Sequence, residues 1–195
     1  MTLLPTTLAI LLGVTTWTLL EYLLHRWLGH ERQFRGNLFG LEHQRHHFEG
    51  DYFAPAHKKI PVAAAAGVLL SLPAIRLVGV PLGLGYVGGL LAAYAVYELL
   101  HRRYHTHAGF GPYGRWARRH HFHHHFVDAR SNHGVTSPLW DLVFGTYVRP
   151  TTIRVPARLC MPWLLDPRTG AIAAEHAGTF VLKTSPTDSR SAPDA

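Results

Sequence analysis

The sequence contains almost no cysteine. Cys160 is the only one among 195 residues, which excludes an intramolecular disulfide and every metal or redox motif that needs two cysteines. The chain also contains no haem-binding, flavin-binding or iron–sulfur motif. Any metal or redox site in this chain must therefore be built from other side chains.

Charged residues are scarce in two long stretches. Leu3–Leu24 contains only Glu21, and Ile60–Leu100 contains only Arg76 and Glu98. Apolar runs of about 20 residues match the roughly 30 Å hydrocarbon core of a bilayer. This distribution favours an integral membrane protein over a soluble helical bundle.

The two apolar stretches predict three membrane spans. Leu3–Leu24 lacks the basic region and the cleavage site of a secretory signal, so we interpret it as a retained helix. The second stretch is too long for one helix and is punctuated by proline and glycine. We expect it to form a helical hairpin of Pro61–Val78 and Leu84–Leu100, with its turn at Val80–Gly83.

Basic residues are concentrated after the first and third predicted spans, within a net charge of +7. By the positive-inside rule both regions face the cytoplasm, which places the amino terminus and the hairpin turn outside. Because the basic residues alternate with histidines beside apolar spans, membrane contact is favoured over nucleic-acid binding. They are Arg26, Arg32, Arg35, Arg45, Lys58 and Lys59 after the first span, and Arg102, Arg103, Arg115, Arg118, Arg119 and Arg130 after the third.

Histidine is abundant: the chain contains 16, and most stand in four tight groups. Neutral imidazole is the commonest protein ligand for iron, zinc, copper and nickel, so the groups predict a site for more than one metal ion. They are His25 and His30; His43, His46 and His47; His101, His105 and His107; and His120, His121, His123, His124 and His125.

Spacing indicates which histidines can act together. His43, His46 and His47 stand at i, i+3 and i+4 on one helical face, so two can bind one ion and the third a second ion nearby. His101 and His105 are one turn apart on a helix that extends the third span.

The first histidine pair needs an irregular helix. His25 and His30 are five residues apart, which is about 140° on a regular helix. Both can face one site only if the helix ends or bulges between them, and Gly29 is where it could loosen.

Spacing leaves the last group undecided. Two overlapping triplets satisfy the same rule, and several further histidines are equally open, whereas two isolated ones are interpreted as ordinary. The triplets are His121, His124 and His125 or His120, His123 and His124; His107 and His133 are open; His57 and His176 stand alone.

The remaining segments predict helix and turn. We expect helix at Leu41–Phe48 and Trp116–Phe126, which have no internal proline or glycine, and a compact, turn-rich segment at Val135–Arg149. The predicted fold class is all-α, an integral membrane helical bundle with a cytoplasmic histidine-rich helical cap. The predicted division is a membrane-embedded domain at 1–150, an interfacial segment at 151–182 and a flexible tail at 183–195.

Four histidine motifs follow one another in the order H-x4-H, H-x2-H-H, H-x3-H and H-x2-H-H, and GVTSPLWDLVFGT follows them at Gly134–Thr146. This order, over about residues 20–148, resembles the fatty acid hydroxylase and sterol desaturase superfamily. Its members are membrane-embedded oxygenases with a dimetal centre held by histidines, taken as di-iron in the active form. The resemblance selects the frame R-R-H-H-x-x-H-H at Arg118–His125. It implies as metal ligands His25, His30, His43, His46, His47, His101, His105, His121, His124 and His125.

The resemblance implies an O2-dependent hydroxylase, or a desaturase with the same centre, acting on a C–H bond of a lipid such as a fatty acyl chain or a sterol. The cofactors would be two iron ions, which zinc can replace in a purified protein. Glu98, one turn before His101, matches an acidic position associated with a metal-bound water, and His133 stands where the family usually has an aromatic residue. A separate cytochrome or ferredoxin would supply electrons and could dock on the basic cytoplasmic face.

Two alternatives remain open. A carotenoid ring hydroxylase has similar histidine motifs, although the GVTSPLWD block favours the fatty acid hydroxylase side. A non-catalytic metal transporter or storage protein is also possible, but a transporter would place ionisable ligands near the bilayer midplane, and these histidines follow the span ends. Arg102, Arg103 and Arg115 could hold an acidic headgroup and Trp116, Phe122 and Trp140 could border an acyl tunnel, although membrane-interface anchoring explains all six at least as well.

Overall fold

The structure is a computed structural model that describes residues 3–34 and 36–183. Most of these residues are helical, and two short strands lie near the end of the described chain. The helices are α1 (Leu3–Leu23), a π-helix (Leu24–His30), α2 (Leu38–Glu49), α3 (Ala56–Val78), α4 (Val80–Thr106), α5 (Gly111–Phe126) and α6 (Leu139–Val143); the strands are β1 (Ile153–Pro156) and β2 (Phe180–Lys183), and short 3-10 turns occur at Arg32–Phe34, Ala157–Leu159 and Pro162–Leu164.

Among the described residues, three helices are long and apolar enough to cross a membrane: Leu3–His30, Ala56–Val78 and Val80–Thr106. They correspond to the three predicted spans, but the predicted hairpin turn is wrong. Gly79 alone makes the turn, with φ 82°, and α4 begins at once. Pro81 lies in the first turn of α4, where its missing N–H costs nothing, so it starts the helix instead of preventing it.

Glycines bring α1 and α4 into backbone contact. A Cβ on Gly13 would lie 2.0 Å from the carbonyl oxygen of Tyr86, and one on Gly89 would lie 2.3 Å from that of Ile10. Small residues let apolar helices approach this closely, and van der Waals packing then holds them together in lipid. The packing fixes the end of α1, and therefore the π-helix that continues it, beside α4.

The predicted irregularity after the first span is confirmed. Leu24–His30 is a π-helix that directly continues α1. Because a π-helix bonds residue i to residue i+5, it brings side chains five positions apart onto the same face. His25 and His30 can therefore face one site without any break in the chain.

The helices that follow the spans are longer than predicted. α2 begins at Leu38, where the Asn37 side chain accepts a 2.8 Å hydrogen bond from the Gly40 amide. α5 begins at Gly111, with Pro112 in its first turn. In both cases helix-start signals extend the helix beyond the segment that is free of proline and glycine.

The C-terminal part corrects the all-α prediction, because β1 and β2 pair as a parallel two-stranded sheet. Ile153, Val155 and Phe180 from these strands pack with Tyr104 and Phe122 of the histidine-bearing helices in one buried cluster. The segment thus shares a core with α4 and α5. Lys183 ends β2, and the rest of the predicted tail, residues 184–195, lies outside the described residues.

Candidate metal centre

Ten histidines gather into two adjacent groups of five. Within each group, one ring nitrogen from every histidine lies within 4.8 Å of the others. The first histidine group is His25, His30, His43, His47 and His124, and the second histidine group is His46, His101, His105, His121 and His125. All ten histidines proposed as ligands are included.

Each group takes two histidines from one helix, two from a second helix and one from a third. The π-helix supplies two histidines to the first group, and α4 supplies two to the second. α2 and α5 each divide their three: the pair at i and i+4 enters one group, and the remaining histidine enters the other. These divided members are His43 and His47 against His46 on α2, and His121 and His125 against His124 on α5.

Backbone carbonyls fix the tautomer of three of these rings. The Nδ1–H groups of His25 and His124 donate to the carbonyl oxygens of His133, at 2.5 Å, and Ser131, at 2.8 Å. The His46 Nδ1–H donates to the backbone carbonyl oxygen of Tyr52 at 2.7 Å. A carbonyl oxygen can only accept, so each Nε2 keeps its lone pair for another partner. Hydrogen bonding of the second ring nitrogen is the usual way in which proteins orient metal-binding histidines.

The nitrogen atoms that face the centre fit a cation. The Nε2 atoms of His25, His46 and His101 are buried and have no hydrogen-bond partner among the described residues. The Nε2 of His30 lies 2.8 Å from that of His43 and 2.9 Å from that of His124. A ring N–H can bridge only one such pair at a time, whereas a metal ion placed among these atoms would bind several lone pairs at once, and imidazole nitrogen suits iron and zinc.

Burial keeps the imidazoles outside the spans in their neutral form. It lowers the pKa of His43, His47 and His124 well below the ordinary value, and the nearby histidines lower it further. For His46, burial lowers the pKa to about 4. A ring must be unprotonated to bind a metal ion, so these residues need not lose a proton near neutral pH.

The undecided histidines lie outside the two groups. His120 is fully buried, stacks on Trp116, and its Nε2 lies 3.2 Å from an Asp141 oxygen. His133 is buried with its ring centroid 5.3 Å from that of His124. Neither belongs to a group of converging nitrogens, and the same holds for His57, His107, His123 and His176.

Glu98 forms an ion pair and is not one of the converging ligands. Its carboxylate pairs with the Lys59 amine, and both side chains are partly exposed. Neither histidine group includes it. The side chains proposed as lipid contacts also divide, since Phe122 is fully buried in the core whereas Arg102, Arg103 and Arg115 are exposed.

Two buried carboxylates beside the centre were not predicted from the sequence. Glu21 and Asp141 are 4% and 0% exposed, and both accept hydrogen bonds from backbone amides of residues 133–136. A signal for Glu21 was available, because an ionisable residue inside a membrane span marks a functional position by default.

Two cavities reach the first histidine group. A cavity of about 820 Å³ is lined by His30 and His133 together with Arg26, Arg32 and Arg130. A cavity of about 270 Å³ is lined by His30 and His47. Within the described part of the chain, no histidine of the second group lines either cavity. Both cavities therefore open onto the first group.

A bundle of membrane-length helices that brings ten histidines into two converging groups defines a membrane metalloprotein. A sequence model of the fatty acid hydroxylase family matches residues 10–146, which is most of the chain. The protein belongs to the fatty acid hydroxylase family.

Curated relatives agree with this assignment. The chain is 34% identical over 148 residues to a dihydroceramide fatty acyl 2-hydroxylase of Arabidopsis thaliana, covering 71% of this chain and 60% of the relative. It is 32% identical over 149 residues to the fatty acid 2-hydroxylase of Homo sapiens, covering 70% and 38%. A solved structure of scs7p, in which only the hydroxylase domain is visible, superposes with a TM-score of 0.63 at 28% identity, covering 76% of this chain and 58% of that one. The chain thus spans about 40–60% of the length of these relatives.

Proposed function

We propose that this protein is a membrane-bound, O2-dependent hydroxylase that inserts oxygen into a C–H bond of a fatty acyl lipid. The proposal rests above all on the two converging groups of five histidines. The family assignment and the names of the relatives, which are fatty acyl 2-hydroxylases, favour hydroxylation over metal transport or carotenoid chemistry.

Each histidine group would hold one iron ion through the nitrogen atoms described above. Two ferrous ions bound there would provide the O2-binding sites and the redox chemistry that oxidation of an unactivated C–H bond requires, and an external donor would supply the two electrons consumed when the second oxygen atom is reduced to water. The protein provides neutral imidazoles, carbonyl acceptors that orient three of them, and burial that excludes bulk water. Glu98 is retained as a candidate for the water-binding role that the family implies, although it pairs with Lys59 here.

The acyl lipid would approach the first histidine group. The larger cavity carries cationic side chains beside His30, and the smaller one shares His30 and Ala129 with it as lining residues. In 2-hydroxylation the reacting carbon is bonded to the acyl carbonyl carbon, so the polar end of the lipid must lie close to the metal. The cavity rim of Arg26, Arg32 and Arg130 suits that polar end.

The proposed topology has three spans with both histidine groups at the cytoplasmic side, as the basic residues favour. An external cytochrome or ferredoxin would deliver electrons there. Arg102, Arg103 and Arg115 are exposed near the end of α4 and the start of α5, where a negatively charged donor can be attracted.

The proposal is tested by loading one protein preparation with two different metals. Chain purified in detergent is stripped with a chelator and reloaded anaerobically with Fe(II) or with Zn(II). It then receives O2, a reductant and a mixture of fatty acids and ceramides, and the products are analysed by mass spectrometry. We expect a lipid heavier by one oxygen atom from the iron-loaded protein alone, because zinc has no redox chemistry.

The position of the hydroxyl group follows from fragmentation of the product. A hydroxyl at carbon 2 supports the proposed approach of the acyl carbonyl end to the first group. If iron-loaded protein holding two metal ions forms no oxygenated lipid, the proposal is wrong, and a metal-storage role becomes the better explanation.

A further inference from the structure

The loop Ser131–Thr136 is held by two buried carboxylates on separate elements. Asp141 accepts the amide hydrogens of His133 and Gly134, each at 2.8 Å. Glu21 accepts those of Val135, at 2.5 Å, and Thr136, at 2.8 Å. Four consecutive backbone amides therefore end on two carboxylates, one from α1 and one from α6. We call this segment the clamped loop.

The clamped loop also provides the acceptors for two rings of the first histidine group. Its Ser131 carbonyl accepts from His124, and its His133 carbonyl accepts from His25. Between these carbonyls, Asn132 adopts the left-handed conformation, with φ 56°, and its side chain bonds to the backbone of Val148. The directions of both carbonyls are thus set by how the loop is held.

We propose that Glu21 and Asp141 are positioning residues that set the metal affinity of the first histidine group by fixing the clamped loop. The chain of contacts runs from carboxylate to amide, through the loop to its carbonyls, and then to the Nδ1 atoms of His25 and His124. In the second histidine group, His46 is oriented by Tyr52, outside this loop. The inference rests on the proposed function, since it assumes that each group binds a metal ion.

Replacing the carboxylate with a side-chain carboxamide should have different effects at the two positions. Oε1 of Glu21 accepts both backbone amides, while Oε2 accepts only the Thr136 hydroxyl. Gln at position 21 can keep its oxygen on both amides and donate its NH2 group to that hydroxyl. Each oxygen of Asp141 instead accepts one backbone amide. Asn at position 141 must turn its NH2 group toward one of these N–H donors, which leaves that buried amide without an acceptor.

The test compares Glu21→Gln, Glu21→Ala and Asp141→Asn in the full chain, with Zn(II) as the probe. Zinc retained per chain is measured by elemental analysis after equilibration with graded chelator. The variants His30→Ala and His101→Ala identify which of the two bound zinc ions, or equivalents, belongs to which histidine group. We expect Asp141→Asn and Glu21→Ala to weaken the first-group equivalent about 10- to 100-fold. Glu21→Gln should bind both equivalents like wild type, and the second-group equivalent should stay unchanged in all three variants.

Retained second-group zinc reports that a variant is folded, so a destabilised variant is recognised. If Asp141→Asn loses both zinc ions, the result for Glu21→Ala decides between the outcomes. Selective weakening of first-group zinc in Glu21→Ala supports the proposal. Equal loss of zinc from both groups, or no loss from either, overturns it. Failure of Glu21→Gln to rescue binding also overturns it. If wild-type protein binds no zinc, the proposed function itself fails, which is a different result.

Discussion

The imidazoles of His47 and His125 stack face to face, with ring centroids 4.0 Å apart and planes within 10° of each other. His47 belongs to the first histidine group and His125 to the second. The two groups therefore share a packing contact, and a change in one ring can alter both. Substitutions of His47 can therefore separate its role as a metal ligand from its role in packing against His125.

Replacing His47 with Phe should weaken only the first-group metal, because the ring remains but the nitrogen is lost. Replacing it with Ala should weaken both metals, since His125 also loses the ring on which it stacks, a contact worth about 0.5–1.5 kcal/mol. The zinc retained per chain at a series of chelator concentrations measures the affinity of each histidine group for zinc. Equal effects of Phe and Ala on the second equivalent would show that the stacking contact has no influence.

Single alanine substitutions on α5 should distinguish the two groups. His124→Ala should remove the first metal equivalent and His121→Ala the second, because their nitrogens converge with different partners. His57→Ala is the matched control, since His57 is exposed and belongs to neither group. Elemental analysis of purified protein gives the stoichiometry. Two metal ions per chain in the His124→Ala variant would contradict the assignment.

Much of the fold could be predicted from composition because a membrane span is defined by the near absence of charge over its length. The five-residue spacing of His25 and His30 likewise predicted an irregular helix, since a regular one cannot turn both rings to one side. Helical geometry alone predicts that two histidines of α2 serve one ion and the third serves another.

The missed features depend on contacts between residues far apart in the chain. Glu21 meets Thr136 across 115 positions, and no local pattern specifies that pairing. β1 and β2 are parallel strands joined by irregular chain, and each is only four residues long, so neither gives a clear periodic signal. The hairpin turn was misplaced because a proline at a helix start resembles a proline in a loop.

Enlarging Gly13 should separate α1 from α4. In Gly13→Val the new Cβ would collide with the backbone of Tyr86 and Leu90, and backbone atoms cannot turn aside. We expect a loss of about 1–3 kcal/mol in stability, as for other overpacked sites. Thermal unfolding in detergent, followed by circular dichroism, measures the effect.

Gly88→Ala is the control for this substitution, because a Cβ on Gly88 would meet no atom within 4 Å among the described residues. It should unfold at the wild-type temperature or slightly above, since Ala favours helix over Gly. An equal loss of stability in both variants would show that helix flexibility, and not the close approach of α1 and α4, explains the result.

The C-terminal segment should stabilise the second histidine group through Trp163. Its indole N–H donates to the carbonyl oxygens of Tyr104 and His105, both at 3.2 Å, in the last turns of α4. Those carbonyls lie near the helix end, where intrahelical partners run out. Trp163→Phe removes the donor, at a cost of about 1 kcal/mol for one net hydrogen bond. We expect the melting temperature to fall by about 2–4 °C.

The same variant should release second-group zinc at lower chelator concentration, because His105 sits on the turn that Trp163 holds, while first-group zinc stays unchanged. Trp27→Phe is the control, since Trp27 is 45% exposed and lies on the π-helix, away from this segment. If Trp163→Phe lowers the melting temperature without changing either zinc equivalent, the segment stabilises the fold but does not support the metal centre.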